Sequence, residues 1–274
     1  MASRQLAEQG LAIFGELGDK RGMAQSLNRI GSIVGFQNDF HTSGILFEEA
    51  LELYREVGDK DEIAEALVQL GGAINDQGFP NRARQIMEEG LTLFRESGNK
   101  GGIGLALENL GEVAYQQNDF MAAHLAWEEG LALFRDVGDK RRIAIQLCYL
   151  SYSEQRRGNC ERAALNLKES IGLCREIMDN HDIAMCLSGF AGLALCRREN
   201  NQEHYARRAV RLLAAADKVL KSIHAGFWYV DRKQYEQTQA VAHAELGEVE
   251  WNDAWSEGQL MSLDQAIEYA IRED

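Results

Sequence analysis

The segment LELYREVGDKDEIAEALVQLGG, residues 51 to 72, comes back every forty residues. It reads LAIFGELGDKRGMAQSLNRIGS from residue 11, LTLFRESGNKGGIGLALENLGE from 91 and LALFRDVGDKRRIAIQLCYLSY from 131. A faded fifth copy, IGLCREIMDNHDIAMCLSGFAG, starts at 171. A fixed period of this length marks stacked units that bury a continuous core against their neighbours, so the 274 residues count repeats rather than independent domains.

Within one copy the apolar residues fall at Ile63, Ala66, Leu67, Leu70 and Ile74, then at Ala83, Met87, Leu91 and Phe94. Each set follows the i, i+3, i+4, i+7 spacing of an amphipathic helix. Between the two sets lies QGFPN, in which Gly78 can close one helix and Pro80 fits the first turn of the next. The unit is therefore a helix, a tight turn and a second helix. GDK is the hinge between units: Gly58 supplies a left-handed residue, and Asp59 offers its carboxylate to the open N–H groups of the following helix. Asp59 with Glu62 also spells a capping box. The spacing predicts helices over 3–17, 20–37, 40–57, 60–77, 80–97, 100–117, 120–137, 140–157, 160–177, 180–198 and 201–222, then about three tail helices. GNKGGIG at 98–104 has the look of a phosphate loop, but it lacks the G-x-x-x-x-G-K-[ST] order and occupies the hinge register after a helix.

Aligned on LxxLGxxxxxxG, the copies resemble tetratricopeptide repeats of a 40-residue type. The matching sites are Leu67, Leu70, Gly71, Ile74, Gly78, Ala83, Met87 and Gly90 in the second copy. In the third they are Leu107, Leu110, Gly111, Ala114, Asn118, Ala123, Trp127 and Gly130. Repeats of this length are found in peptide-clasping scaffolds of the kinesin light chain style and in bacterial signalling ATPases and LuxR-type transcription regulators. The tail, around Tyr235, Leu246, Trp255, Gly258 and Leu263, resembles the closing segment of the helical sensor half of those predicted-ATPase regulators. The resemblance implies an all-α fold: a right-handed superhelical solenoid of antiparallel helix pairs over residues 1–200, closed by a helical C-terminal cap over 201–274. It also implies a concave inner face lined by the first helix of each pair, where extended peptides or helices bind. The family pattern puts Asn28, Phe36, Glu65, Asn75, Asp76, Glu108, Glu112, Tyr115, Tyr152, Gln155 and Arg156 on that face. Glu65, Asp76, Glu108 and Glu112 would make its middle acidic and suited to a ligand carrying Lys or Arg. The bland alternative is an ordinary solvated helix face, and acids such as Glu88 and Glu89 also stand on the outer helices.

No catalytic constellation stands out. The six histidines are scattered, with no H-x-x-x-H, and no carboxylate pair is set in an apolar surround, so neither an enzyme nor a metal or other cofactor is expected. The five cysteines, Cys148, Cys160, Cys174, Cys186 and Cys196, lack C-x-x-C spacing and are expected as reduced, packed thiols. A net charge of −14 repels nucleic acid and anionic membranes. With no 18-residue apolar run and no signal-peptide order at the start, a cytoplasmic location is expected. From Arg197 to Lys233 there are nine basic and four acidic residues, and from Gln234 onward one basic and ten acidic, which suggests a basic closing helix under an acidic cap. Phe227, Trp228 and Tyr229 are expected to be buried at that end.

The function expected is a protein- or peptide-binding module, a sensor or regulatory scaffold of a bacterial signalling or transcription-regulatory system. The alternatives are a small-molecule effector sensor, or a docking subunit for a separate ATPase or cyclase. The first helix matches the second member of a pair, and Leu6, Leu11, Ile13, Phe14 and Leu17 give it apolar groups on more than one face. Its edge is expected to be covered by an upstream domain or by a second copy in a homodimer.

Overall fold

A computed structural model describes residues 2–197, 201–227 and 229–272. Among these residues there are fourteen helices and no strand. They are α1 (Ala2–Leu17), α2 (Lys20–Phe36), α3 (Phe40–Val57), α4 (Lys60–Asp76), α5 (Pro80–Ser97), α6 (Lys100–Gln116) and α7 (Phe120–Val137). Then follow α8 (Lys140–Arg156), α9 (Cys160–Glu176), α10 (Asn180–Cys196), α11 (Gln202–Ser222), α12 (Tyr229–Glu245), α13 (Glu248–Leu260) and α14 (Leu263–Ile271). The expected boundaries hold to within one or two residues, and the three tail helices are present. The chain divides into two compact units, residues 1–119 and 120–274.

The capping chemistry fixes the boundaries. Asp19, Asp39, Asp59, Asn99, Asp139 and Asp179 each accept a hydrogen bond from a backbone N–H in the first turn of the helix that follows. Gly58, at φ 84°, ends α3 in the left-handed region, and Pro80 opens α5. The capping box expected at Asp59 does not close. Glu62 turns instead to Arg21, whose Nε donates to it at 2.9 Å, because Arg21 of the preceding hinge lies against both Glu62 and Asp59. A closed capping box occurs at Ser262 and Gln265, opening α14.

This pairing explains why the whole string recurs and not only its glycine. Lys20 pairs with Glu56, Lys60 with Glu96 at 2.9 Å, and Lys140 with Glu176. In each case the lysine of one GDK reaches the acid near the end of the next second helix, thirty-six residues on. Arg141 meets Asp179 at 3.0 Å in the same way that Arg21 meets Asp59. The Lys–Glu pairs are exposed and contribute under about 1 kcal/mol each, so they set the register of one pair more than its stability.

Stability comes from the apolar stripes. In unit 1, Ala24, Leu27, Phe47, Leu51, Tyr54, Leu67, Leu70, Ile74 and Met87 form one buried cluster. Helices within a pair approach closely because the repeat has glycine where they cross. A Cβ on Gly71 would lie 2.6 Å from Met87, and one on Gly90 would lie 2.9 Å from the Ala64 carbonyl oxygen. In unit 2 the core holds Trp127, Tyr149, Ile145, Leu167, Ile171, Met185 and Leu187, all essentially inaccessible to solvent. The basic α11 is used internally, as the charge split suggests. Arg211 pairs with Glu257 of α13, and Arg208 donates to the carbonyls of Tyr269, Ala270 and Arg272 at the end of α14.

One expectation is corrected. Cys148, Cys174 and Cys186 are free and buried, but Cys160 and Cys196 form a disulfide across a Cα–Cα distance of 6.0 Å. Cys160 is the first residue of α9 and Cys196 the last of α10. The same two register positions one copy earlier hold Phe120 and Arg156, with the guanidinium 5.7 Å from the ring centre. The repeat brings positions thirty-six apart together, a proximity that C-x-x-C counting cannot detect. Of the aromatic trio, Trp228 lies outside the described residues, as does the side chain of Tyr229. Phe227 is half-buried, its ring 4.7 Å from that of Tyr235.

Candidate functional site

The candidate residues lie on the first helices of the pairs: α2, α4 and α6 in unit 1, α8 in unit 2. In unit 1, Phe36 ends α2 with 73% of its surface exposed. Glu65 is exposed on α4 and accepts from Gln69 at 3.2 Å. Partial desolvation, reinforced by Glu62, raises the pKa of its carboxyl. Asp76, the last residue of α4, and Glu112 of α6 are half-buried. Asn28 and Asn75 are more than nine-tenths buried, and the amide oxygen of each has no hydrogen-bond partner among the described residues. Glu108, only 2% exposed, and Tyr115, fully buried, are not open surface, so the acidity of this face comes from Glu65, Asp76 and Glu112. Helical spacing alone could not separate them, because Glu108 and Glu112 are one turn apart.

Gly72 lies on α4 between Glu65 and Asp76 in sequence. A Cβ there would meet nothing closer than Asn109 Oδ1 at 3.8 Å. Three copies later the same register position is Gly192 of α10, and the surroundings are opposite. A Cβ on Gly192 would lie 2.5 Å from both Gln155 Oε1 of α8 and Gln234 Nε2 of α12, and 3.4 Å from Thr238 Oγ1. The tail helix α12 thus lies on the first-helix face of unit 2. There, Tyr152 donates to Asp231 Oδ1 at 2.9 Å, Gln234 Nε2 donates to Gln155 at 3.2 Å, and Arg156 donates to Gln234 Oε1 at 3.3 Å. The two candidates on α8, Tyr152 and Arg156, are therefore engaged by the chain's own tail, and Tyr152 is fully buried. Sequence reasoning missed the partners Asp231, Gln234 and Thr238. They form an i, i+3, i+7 stripe, but a polar one that hydrophobic periodicity does not register.

A second polar group lies between α7 and α8. His124 Nδ1 is 3.0 Å from Ser153 Oγ, and its Nε2 is 3.8 Å from the buried Glu154. These residue types are those of a hydrolytic triad, but Ser153 is inaccessible and its hydroxyl donates to the Leu150 carbonyl, so it cannot meet a substrate. The arrangement is a packed hydrogen-bond network. Beside it a cavity of about 240 Å³ is lined by His124, Glu128, Arg135 and Arg162 along with Leu131, Leu147 and Leu150. Among the described residues no three His, Cys, Asp or Glu side chains are grouped to hold a metal ion, and no helix is long and apolar enough to cross a membrane.

Residues 62–136 match the tetratricopeptide repeat family. No curated protein matches the chain in sequence. Among solved structures, the chain is similar to the apo form of RapI, with a TM-score of 0.64 at 15% identity, covering 97% of this chain and 90% of that one. It is similar to BtubC (BKLC) from P. vanneervenii with a TM-score of 0.64 at 16% identity, covering 83% and 93%. The Rap conjugation gene regulator of the plasmid pLS20, in complex with the Phr* peptide, gives 0.64 at 16% identity, covering 89% and 71%. At these identities the likeness is one of fold: an all-α stack of helix pairs of the tetratricopeptide type.

Proposed function

We propose that the chain is a non-enzymatic, cofactor-free module that binds a protein or peptide on the first-helix face of unit 1, and that the ligand presents Lys or Arg. The observation that carries this reading is the contrast between Gly72 and Gly192. At equivalent positions, the face is filled by a helix in unit 2 and open in unit 1. The same first-helix register carries exposed Phe36, a ring for apolar contact, and the carboxylates of Glu65, Asp76 and Glu112, which this reading assigns to the ligand. The solved complex of a similar fold with the Phr* peptide is consistent with a peptide ligand. The tail's resemblance to the sensor half of predicted-ATPase and LuxR-type regulators supports a role as the sensor or regulatory scaffold of a bacterial signalling system. Nucleic acid and membrane surfaces are opposed by the net charge of −14.

The test is a panel of fluorescently labelled peptides, Lys- and Arg-containing sequences beside acidic counterparts of equal length, titrated by anisotropy. Saturable binding of basic members alone supports the proposal. Binding of acidic members, or of none, removes it. Titration of a small-molecule effector library by thermal shift covers the alternative, whose site would be the cavity beside His124.

A further inference from the structure

We propose that α12 is a proton-linked latch on the first-helix face of unit 2: protonated His181 and protonated Asp231 hold it down, and loss of those protons releases Tyr152, Gln155 and Arg156. The proposal is independent of what unit 1 binds.

His181 supplies one half of the latch. Its Nδ1 lies 3.1 Å from Asp182 Oδ1 and its Nε2 lies 3.1 Å from the carbonyl oxygen of Gly226, in the segment that leads into α12. Arg141 Nε lies 3.3 Å from Asp182 Oδ2, and the carboxylate and carbonyl oxygens that these two ring nitrogens meet are acceptors. A neutral imidazole donates only one hydrogen bond, whereas the imidazolium donates both. The bridge from α10 to the segment before α12 is therefore complete only when His181 is charged. Burial alone would lower its pKa, but the bonds to Asp182 and Gly226 outweigh burial and raise it.

Asp231, in the first turn of α12, carries the other half. Its carboxyl is fully buried, Oδ1 takes the Tyr152 hydroxyl, and Oδ2 has no hydrogen-bond partner among the described residues. The groups facing it are Tyr152 from α8 and His181 and Asp182 from α10, with Cys148 beside the Tyr152 hydroxyl. Among the described residues no arginine or lysine is bonded to it. A buried carboxylate satisfied at one oxygen is costly, while the neutral acid is tolerated. Burial accordingly pushes its pKa from 3.8 up to about 7. The rest of the hold is weak in apolar terms: the buried stripe of α12 is Val230, Asp231, Gln234, Thr238 and Ala242.

Both groups hold their protons more tightly when α12 is docked, so docking takes up protons and acid favours it. The Asp231 contribution is fully present below pH 4 and is lost as pH rises toward 7. The His181 contribution is lost as pH climbs from its ordinary value of 6.5 through the raised one. Between pH 5.5 and 7.5, a carboxyl moving between 3.8 and about 7 shifts the docking equilibrium roughly 20-fold by itself.

The test is hydrogen exchange of the full chain, read by mass spectrometry as protection factors corrected for the intrinsic pH dependence of exchange. Protection over residues 229–245 is expected to fall at least 20-fold between pH 5.5 and 7.5, while α3 and α5 change less than twofold. Asp231→Asn, which keeps an oxygen for Tyr152 and cannot ionise, is expected to stay protected at pH 7.5 and lose that 20-fold component. His181→Gln is expected to lower protection at pH 5.5. Constant protection of α12 in the wild type, an equal fall in every helix, or an Asp231→Asn variant with the full wild-type pH dependence would each overturn the latch. The wild-type titration decides alone if a variant does not fold.

Discussion

Met178 sits at φ 57°, in the left-handed region, at the position that closes α9. The same register position holds Gly18, Gly58, Gly98 and Gly138 in the four earlier copies, with φ between 68° and 84°. An L-residue there costs about 1–2 kcal/mol. Met178 recovers none of this through packing, since 84% of it is exposed. Changing Met178 to glycine removes the strain but adds freedom to the unfolded chain, worth about 0.5–1 kcal/mol. The expected net gain is about 0.5–1 kcal/mol, a rise in Tm of roughly 2–3 °C for a cooperative unit of this size. The reciprocal change in the same unit, Gly138→Met, is expected to lower Tm by a similar or larger amount. A Cβ at Gly138 meets no atom within 4 Å, so that loss would be conformational rather than steric. Differential scanning calorimetry of the two variants and the wild type, in one disulfide state, reads the effect. A Met178→Gly variant that melts at or below the wild type, beside a neutral Gly138→Met, would refute the reasoning.

Other consequences are as direct. The Cys160–Cys196 bridge closes a loop with a sequence separation of 36, for which chain-entropy reasoning gives up to about 4 kcal/mol; reduction or Cys160→Ser is expected to lower Tm by several degrees, and peptide mapping that recovers both residues as free thiols after air-oxidised purification would contradict it. On α1, Leu6, Ile13 and Leu17 are exposed, while Phe14 packs against Gly22 of its own chain. If that edge pairs with a second copy, light scattering during gel filtration should show a dimer that Leu6→Lys with Ile13→Lys converts to monomer, and a wild type monomeric at all concentrations tested would exclude that pairing.

Helix positions, hinges and caps were legible because the repeat states them five times over: Gly58 and Asp59 specify a stop and a start by local chemistry alone. What depends on contacts between copies was not. Glu62 satisfies the letter of a capping box, yet Arg21 lies forty-one residues back and takes it. Cys160 and Cys196 become neighbours only through the superposition of one pair on the next. Among the candidate residues the first-helix register picked positions on α2, α4, α6 and α8, but could not tell exposed Glu65 from buried Glu108. Tyr152 and Arg156 were selected as ligand contacts from the same register, and their partner in this structure is α12, whose polar stripe is silent to any search for apolar spacing.

The most direct test of ligand binding on unit 1 is a matched pair of charge reversals, Glu65→Lys with Asp76→Lys on the first-helix face, and Glu88→Lys with Glu89→Lys on α5. Both change the net charge by the same amount, and circular dichroism establishes that each protein is folded. The affinity of the best basic peptide is measured by anisotropy from low to high salt. Reversal at Glu65 and Asp76 is expected to weaken binding about tenfold or more at low salt, about 1.4 kcal/mol, and to flatten the salt dependence. Reversal at Glu88 and Glu89 is expected to change it less than twofold. Equal weakening by both pairs, or none by the first, would contradict a ligand on that face.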